Sequence, residues 1–461
     1  MSGDADMMAE TMGFTSFGQL RRRGRVKQVT SESINARGLP QLMPGTELVD
    51  KCTELSVDSI EKGPYGVVSL LCRDTDLDAR DPLDAALDGT ARETSDAENY
   101  VVPYSLVLDD LEQEKRKFNG MEHAQFMRAR GSTNGFEPLG RHRFLNRSAM
   151  KLVALDHVFQ WTCGVVDRRE PFSFADVCGG PGGFSEYLLW RSASSDENGE
   201  REHDRGHRGY GITLKDAANE CDWRLPSKYR KMFTSCYGED GTGNVYSVAN
   251  VHKFRDVVRA RQPSGVDLVV ADGGFRDARS QSNQETMMTR LVVAEVIAMF
   301  AVLRVGGDFV CKTFELTTPT MLQICWTLHH CFGRFAIVKP ITSRPASSER
   351  YIVARGLRAR RCIPKLVKIL EDQLSHAGSV HASEEYRFPP FLPNSTPMRE
   401  DTDFYKYMST ANEAIAISQV HACKCINKFS TRRHKRKRCE AGASSIDPHQ
   451  YYRCWHLGSM P

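Results

Sequence analysis

No long uninterrupted hydrophobic run occurs in this 461-residue sequence. The most apolar helix-length stretch, "LVVAEVIAMFAVL" (residues 291–303), is interrupted by Glu295 and ends at Arg304. It is shorter than the roughly 20 residues that a membrane-spanning helix needs. We therefore expect a buried helix there and no membrane contact. A charged-then-apolar leader is also missing, so we expect a reducing cytosolic or nuclear compartment.

Paired cysteine motifs are missing as well. The 14 cysteines are scattered, and Cys178, Cys311 and Cys325 lie within apolar segments, which favours reduced thiols over a disulfide framework. Near the end, Cys423 and Cys425 are accompanied by histidines but by no Cys-x-x-Cys pair. No metal site is therefore predicted.

The net charge of +4 hides two strongly basic runs, at residues 21–27 and 432–438. Such runs are typical of nuclear import signals or of nonspecific RNA contacts, and we favour import for the second run. The predicted organisation has four parts. They are an N-terminal extension, partly disordered (1–100), a main domain (101–360), a helical C-terminal continuation (361–427) and a basic disordered tail (428–461).

Strand-like and helix-like segments alternate from about residue 145 to 357. This alternation predicts a Rossmann-like doubly wound α/β fold, with a mostly parallel sheet and helices on both faces. The predicted strands are 172–178, 209–214, 266–272, 307–314, 334–340 and 350–357. The predicted helices are 146–159, 183–190, 285–304, 318–331, 363–374 and 403–426.

A glycine-rich loop, "CGGPGGF" (178–184), separates the first predicted strand from a helix. Ligands of doubly wound sheets bind where strands end, and glycine lets the backbone approach them. The loop lacks the last glycine of the dinucleotide fingerprint, the Gly-Lys-Ser/Thr of a phosphate loop and the nucleophile elbow of serine hydrolases. A ligand without a pyrophosphate remains, and S-adenosylmethionine fits that description.

Five motifs in order resemble the FtsJ-like 2′-O-ribose methyltransferases, and more narrowly the cap-specific mRNA nucleoside-2′-O-methyltransferases. They are "FLNRSAMK" (144–151), the glycine loop, "ADGGF" (271–275), "VCKTFEL" (310–316) and "KPITSRPASSERYIV" (339–353). The resemblance extends from about residue 110 to 425, because "YMSTANEAIAISQVHA" (407–422) is similar to the family's helical continuation.

The resemblance implies a catalytic tetrad and a cofactor site. The tetrad would be Lys151, Asp272, Lys312 and Glu349. The residues expected to hold S-adenosylmethionine are Asn146, Cys178, Gly179, Gly180, Pro181, Gly182, Gly183, Phe184, Asn244, Val245 and Asp272. The family more often has an acidic residue where Asn244 stands, and an amide accepts a ribose hydrogen bond more weakly than a carboxylate.

Methyl transfer to a ribose hydroxyl requires alignment of the two partners and removal of a proton from a poor acid. Lys312 is the candidate proton acceptor. Its side chain must be desolvated or lie near another cation before it can lose its own proton. Lys151 provides that cation, whereas Asp272 and Glu349 act in the opposite direction, so the charge state stays open. Taken singly, Asp272 could cap a turn, and Glu349 could form a surface ion pair with Arg350.

A capped RNA also needs positive charge along its path. The candidates upstream of the tetrad are Lys115, Lys117 and Arg130, the last of which matches a substrate-contacting arginine of the family. Asn283 and Gln284 are weaker candidates for the same surface. A solvated helix face is the alternative for the basic residues.

The expected activity is 2′-O-methylation of the first transcribed nucleotide of a 7-methylguanosine-capped mRNA or small leader RNA in the nucleus. A second or later nucleotide, or an internal ribose of ribosomal or transfer RNA, remains an alternative, and so does a cap-binding scaffold without activity. The sequence leaves recruitment by other capping enzymes or RNA polymerase open, and it does not indicate an oligomeric state.

Overall fold

The structure is a computed structural model that describes residues 82–88, 105–134, 136–137, 143–162, 171–193, 206–215, 221–274, 284–379 and 388–431. Most of the predicted N-terminal extension and nearly all of the predicted basic tail lie outside these residues. Within the described ranges no disulfide bond is formed. None of the helices there has the length and hydropathy that crossing a membrane requires.

Seven strands form one sheet in the order β3-β2-β1-β4-β5-β7-β6. Their bounds are β1 (Ser173–Val177), β2 (Arg208–Ile212), β3 (Phe233–Cys236), β4 (Val266–Ala271), β5 (Leu303–Thr313), β6 (Phe332–Val338) and β7 (Arg350–Leu357). All pairs are parallel except those of β7, which is antiparallel to both β5 and β6. The predicted doubly wound, mostly parallel sheet is confirmed.

Helices cover both faces of this sheet. Their bounds are α2 (Ser105–Arg116), α3 (His123–Thr133), α4 (Arg147–Phe159), α5 (Gly183–Ser192), α6 (Val248–Arg259), α7 (Gln284–Val302), α8 (Pro319–Cys331), α9 (Ile363–Ser379), α10 (Thr396–Glu400) and α11 (Thr402–Thr431), after the short α1 (Pro82–Asp88). One apolar cluster joins α4 and α5 to the sheet. A second, larger cluster packs the six helices from α6 through α11 on the opposite face of the sheet.

Local chemistry explains where two of the helices begin. Helix α4 starts after Asn146, whose side-chain oxygen accepts a hydrogen bond from the Ser148 amide at 3.0 Å. Helix α8 starts after Thr318 in the same way, and Pro319 occupies its first turn, where no amide hydrogen is needed. The buried α7 includes the apolar run 291–303, apart from Leu303, which begins β5.

Strand β3 and helix α6 are absent from the sequence-based assignment. β3 has only four residues, three of them partly or fully exposed, so it lacks a strong apolar pattern. Helix α6 does carry a signal, since its buried residues Val251, Phe254 and Val258 are spaced by three and four. The antiparallel direction of β7 has no local signal, because its run is buried on both faces.

The long helix α11 is attached to the sheet domain. The Ile337 amide of β6 donates a hydrogen bond to the Tyr407 hydroxyl at 2.7 Å, and Asn412 donates to the Leu316 carbonyl at 3.1 Å. Further along, Val420 and Cys423 pack against Leu111 of α2. The helix therefore runs from the sheet to the helices that precede the glycine loop.

Candidate active site

The register of the central strands brings three of the four tetrad candidates together. Ala271 pairs with Cys311, so Asp272 follows β4 beside Lys312 of β5. Lys312 in turn pairs with Tyr351 of β7, two residues after Glu349. Lys151 approaches from helix α4, which packs on one face of the sheet. Residues far apart in sequence therefore meet at the carboxyl ends of β4 and β5, near the point where the strand order reverses.

Lys151 lies between the two carboxylates of the tetrad. Its Nζ is 2.8 Å from Glu349 Oε2 and 3.6 Å from Asp272 Oδ2. Lys312 Nζ is 3.3 Å from Asp272 Oδ1 and donates a hydrogen bond to the Asp272 carbonyl at 2.8 Å. Asp272 thus contacts both lysines, so that one carboxylate fixes the two ammonium groups relative to each other.

The lysines determine the charge of these carboxylates. Burial by itself would raise the pKa of Glu349, but the nearby Lys151 and Lys312 outweigh it and hold that pKa well below its usual range. The same balance of burial against Lys151 and Lys312 lowers the pKa of Asp272. The two carboxyl groups are therefore held in the ionised form in a largely buried network beside the lysines.

The structure argues against the two alternative roles considered for the carboxylates. Glu349 faces Lys151, and Arg350 is 2% exposed, with hydrogen bonds from its side chain to the Ser348 and Glu315 carbonyls. Glu349 and Arg350 are therefore not a surface ion pair. Asp272 directs both carboxylate oxygens to lysines, which a simple turn cap would not do.

Sequence reasoning missed Tyr351 as part of this network. Its hydroxyl donates to Asp272 Oδ1 at 2.7 Å, and its ring centroid is 5.9 Å from Lys151 Nζ. The ring also packs on Phe184 of the glycine loop at 6.3 Å. The sequence offered no direct signal, because the contact between Tyr351 and Asp272 depends on the pairing of β7 with β5.

The glycine loop follows β1 and is tightly packed by the protein itself. Gly182 has φ of 114°, a conformation that side chains disfavour. A Cβ on Gly180 would lie 1.6 Å from the Cys221 carbonyl oxygen. Internal packing therefore explains part of the glycine content that the sequence analysis attributed to a ligand.

Beneath the loop lies a second residue that sequence reasoning missed. Asp176 is fully buried, and its Oδ2 accepts hydrogen bonds from the Ser185 amide and hydroxyl at 3.1 and 2.7 Å. Its Oδ1 has no hydrogen-bond partner among the residues that the structure describes. A Cβ on Gly179 would lie 2.2 Å from this oxygen, which places Asp176 directly against the loop. Burial raises the pKa of Asp176 to about 7.

The other cofactor candidates lie around the same loop. A Cβ on Gly183 would be 2.2 Å from Asn146 Oδ1, so Asn146 both caps α4 and borders the loop. Val245 is buried. The Asn244 side-chain oxygen already accepts a hydrogen bond from the Tyr246 amide at 3.0 Å. The assignment of these residues to a cofactor stays a prediction.

Glu295 of α7 is a buried carboxyl group behind the tetrad. It is fully buried, its Oε2 accepts a hydrogen bond from the Cys311 thiol at 3.3 Å, and a Cβ on Gly273 would be 2.3 Å from Oε1. Burial raises the pKa of Glu295 to about 8, although Cys311 and Lys312 oppose the shift. The group therefore supports the turn that follows Asp272.

Two of the predicted RNA contacts lie near the end of α2. Lys115 is half-buried and Lys117 is exposed, with its Nζ 2.6 Å from Glu114. Glu114 also accepts a hydrogen bond from Asn427 of α11 at 2.7 Å. The end of α2 is thus fixed to α11, which presents the exposed Lys424 nearby.

Arg130 occupies a different environment from these lysines. It is 8% exposed, and its guanidinium is 3.0 Å from Glu137, which also pairs with Arg147 at 3.1 Å and Arg344 at 3.0 Å. Burial by itself would raise the pKa of Glu137, but the three arginines outweigh it and lower that pKa to about 2. Three arginines around one carboxylate leave an excess of positive charge.

Gln284 and Asn283 complete the predicted RNA candidates. Gln284 begins α7, and its Oε1 accepts a hydrogen bond from the Ser348 hydroxyl at 2.9 Å, so it contacts the segment that carries Glu349. Asn283 lies outside the described residues. The assignment of all five residues to RNA stays a prediction.

Three features define a Rossmann-like methyltransferase domain: the strand order, the glycine loop after β1, and the four charged residues on α4, after β4, at the end of β5 and before β7. Residues 144–357 match the family model described as "FtsJ-like methyltransferase". These residues therefore form an FtsJ-like methyltransferase domain, and the predicted resemblance is confirmed.

Three curated relatives share the name "Cap-specific mRNA (nucleoside-2′-O-)-methyltransferase 1". The protein from Danio rerio is 34% identical over 338 residues, which cover 68% of this chain and 38% of that protein. The one from Homo sapiens is 34% identical over 345 residues, covering 70% and 39%. The one from Dictyostelium discoideum is 30% identical over 336 residues, covering 70% and 43%. The chain spans about two fifths of the length of these relatives.

Proposed function

We propose that this chain transfers the methyl group of S-adenosylmethionine to the 2′-hydroxyl of the first transcribed nucleotide of a 7-methylguanosine-capped mRNA or small leader RNA. The observation that carries the proposal is the network in which Asp272 contacts both Lys151 and Lys312 while Glu349 holds Lys151. The names of the relatives support a capped RNA as the substrate.

The residues around the glycine loop fit the cofactor. S-adenosylmethionine supplies an electrophilic methyl group on a positively charged sulfur. Asp176 Oδ1 offers an acceptor that has no other partner among the described residues, and Val245 offers an apolar surface. Asn146 and Phe184 border the same loop, and Phe184 also contacts Tyr351 of the tetrad network. The cofactor site and the charged network are therefore adjacent.

Each tetrad residue has a separate task in the proposed reaction. S-adenosylmethionine would supply the methyl group that the ribose oxygen receives, and Lys312 Nζ would accept the proton of that hydroxyl. Lys151 stabilises negative charge on the attacking oxygen. Asp272 and Glu349 hold the two lysines, and such alignment can contribute about 7–11 kcal/mol to lowering the barrier.

The side-chain amine of Lys312 must be unprotonated when it accepts the proton of the ribose hydroxyl. Its Nζ is fixed by the Asp272 carbonyl, 2.8 Å away, and is largely buried. Release of a proton from the Lys312 side chain to solvent before methyl transfer is part of the proposed cycle.

The RNA would approach past the end of α2. Lys115 and Lys117 supply positive charge there, and the cluster of Arg130, Arg147 and Arg344 around Glu137 supplies more. Backbone phosphates bind such surfaces through charge and with little regard to sequence. Asn283 and Gln284, the latter at the start of α7, are proposed to contact the same RNA.

The proposed location of the protein is the nucleus. The predicted division of the chain into four parts also belongs to the proposal. The parts are an extension (1–100), a catalytic domain (101–360), a helical continuation (361–427) and a basic tail (428–461). Other capping enzymes or RNA polymerase are candidate partners that would bring the enzyme to new transcripts.

A transfer assay tests the function. The protein is incubated with labelled S-adenosylmethionine and three RNAs of one sequence, bearing a 7-methylguanosine cap, an unmethylated cap or a bare 5′ end. We expect transfer to the first RNA and much less to the other two. Equal transfer to all three would refute cap specificity and favour an internal ribose, and no transfer to any would favour a scaffold.

The position of the new methyl group is read from the same reaction. Nuclease digestion of the labelled product leaves the label in the cap-linked first nucleotide if the proposal is correct. Label in the second or a later nucleotide would keep the class of reaction and replace the proposed position.

A further inference from the structure

Glu349 is the one tetrad residue held by a connection between two strands. Residues 339–349 join β6 to β7, and Val338 pairs with Tyr351 at the base of this loop. Lys151 is on a helix and Lys312 is on a strand, so the backbone of each is fixed by regular hydrogen bonds. The position of Glu349 must be fixed by other contacts.

Two buried basic side chains donate hydrogen bonds to the carbonyls at the end of this loop. Lys339 Nζ donates hydrogen bonds to the Ser347 carbonyl at 2.6 Å and to the Glu349 carbonyl at 2.8 Å. Arg350 Nε donates to the intervening Ser348 carbonyl at 3.0 Å. Lys339 is 5% exposed, which is rare for a lysine without a specific role. Three successive carbonyls are therefore occupied by two side chains.

The Glu349 side chain is fixed from the same loop. The Ser343 hydroxyl donates to Glu349 Oε1 at 2.7 Å, and Oε2 faces Lys151. Lys339 holds the Glu349 backbone, Ser343 holds one carboxylate oxygen, and Lys151 receives the other. Loss of the bonds from Lys339 would free the backbone on both sides of Ser348 and so move the carboxylate away from Lys151.

From these contacts we infer that Lys339 is a positioning residue for methyl transfer, which acts by holding Glu349 against Lys151. It touches neither of the reacting groups in this arrangement. The inference rests on the proposed function, since Glu349 matters only if the tetrad performs the reaction. Burial lowers the pKa of Lys339 to about 7, with Arg350, Lys115 and Lys151 acting in the same direction and Glu349 opposing them.

The test is Lys339→Met, which fills the same space but cannot donate a hydrogen bond. Because displacement of a catalytic group by about 1 Å can cost about a hundredfold in rate, we expect kcat to fall about a hundredfold. The dissociation constant for S-adenosylmethionine and the KM for capped RNA should stay within about threefold of the wild-type values, because no contact with either ligand is removed.

A matched control and a double variant make the test specific. Lys368→Met on the exposed face of α9, where the Lys368 side chain is 69% exposed, should leave kcat unchanged. If Lys339 acts through Glu349, adding Lys339→Met to Glu349→Gln should lower the single-turnover rate no further. Full additivity of the two losses would overturn the inference.

Other outcomes are equally decisive. A lower melting temperature with unchanged kcat would assign Lys339 to stability alone. If Lys339→Met does not fold, the same measurements on Lys339→Gln, which retains one donor group, should still show a reduced kcat, and a wild-type kcat would overturn the inference. Absence of transfer by the wild-type protein would instead refute the proposed function.

Discussion

Two pairs of buried carboxyl groups flank the proposed reaction centre, and their ionisation differs. The front pair, Asp272 and Glu349, contacts lysines, and its pKa values are lowered. The rear pair, Asp176 and Glu295, contacts a hydroxyl, an amide and a thiol, and its pKa values are raised to about 7 and about 8. The front side chains are 9% and 17% exposed and the rear residues are fully buried, but the cationic partners of the front pair make the main difference.

The comparison separates two uses of a buried acid. The ionised front pair holds the side-chain nitrogens of Lys151 and Lys312 in fixed positions. The rear pair carries protons near neutral pH, so it can pack beneath the glycine loop and behind Gly273 without two unpaired charges. Variants that remove a cationic partner of the front pair, or a titrating carboxyl group of the rear pair, are therefore expected to change different properties of the protein.

The largest effect is expected when the front pair loses Lys312. Lys312→Ala removes the proposed proton acceptor, and we expect the transfer rate to fall about 10³-fold, within the range known for general acid–base catalysis. Binding of S-adenosylmethionine, measured by calorimetry, should be nearly unchanged. A large loss of cofactor affinity would instead make Lys312 a binding residue.

Removal of the rear proton site should change stability in a pH-dependent way. Glu295 has a pKa of about 8 in the native protein and an ordinary value of 4.5, so the native state holds more protons between these pH values. The free energy of unfolding therefore falls as pH rises through this window. Glu295→Gln does not titrate, and should gain a few kcal/mol relative to wild type between pH 5 and pH 9.

Urea denaturation at pH 5 and at pH 9 measures that gain. The two proteins should differ least at pH 5, where the wild-type carboxyl group is protonated in the native state. A difference of the same size at both pH values would show that Glu295 does not titrate as described.

Asp176 gives a smaller effect, on cofactor binding. Its Oδ1 is a better acceptor when ionised, so the wild-type affinity for S-adenosylmethionine should rise as pH increases from 6 to 8, through the pKa of about 7. Asp176→Asn keeps an oxygen acceptor but not its charge, and it should bind about tenfold more weakly at pH 8, as expected when a hydrogen bond to a charged group becomes one to a neutral group. Calorimetry at the two pH values checks this, and equal affinities of the two proteins at pH 8 would exclude the contact.

The smallest effect is expected outside both pairs, at Lys117. Lys117→Ala should raise the KM for capped RNA about threefold and reduce the salt dependence by about 0.7, the value for one phosphate of a single strand. The exposed Lys368, which pairs with Asp372, provides the control as Lys368→Ala. Unchanged salt dependence would remove Lys117 from the RNA path.

The fold and the tetrad positions could be predicted because their signals are local. Alternating apolar segments predicted most of the strands, and the five motifs predicted Lys151, Asp272, Lys312 and Glu349. The structure brings these four side chains together, and their roles stay predictions until they are tested. The short β3 and the direction of β7 could not be predicted, since each depends on neighbouring strands.

The supporting residues were harder to predict for a physical reason. Tyr351 and Lys339 act through contacts set by the β5–β7 register and by a loop conformation, which the sequence does not display. Asp176 and Glu295 look like ordinary polar residues in apolar segments until burial is known. The glycine-rich loop shows the opposite error. Its glycine content suggested a ligand, but packing within the protein explains part of that content.

The central claim is that the tetrad aligns a ribose hydroxyl for methylation, and its most direct test changes that hydroxyl alone. Two 7-methylguanosine-capped RNAs are compared, one with a 2′-hydroxyl and one with a 2′-deoxyribose at the first transcribed nucleotide. The account predicts one methyl group transferred to the first RNA and none to the second. Equal labelling of both RNAs would contradict it.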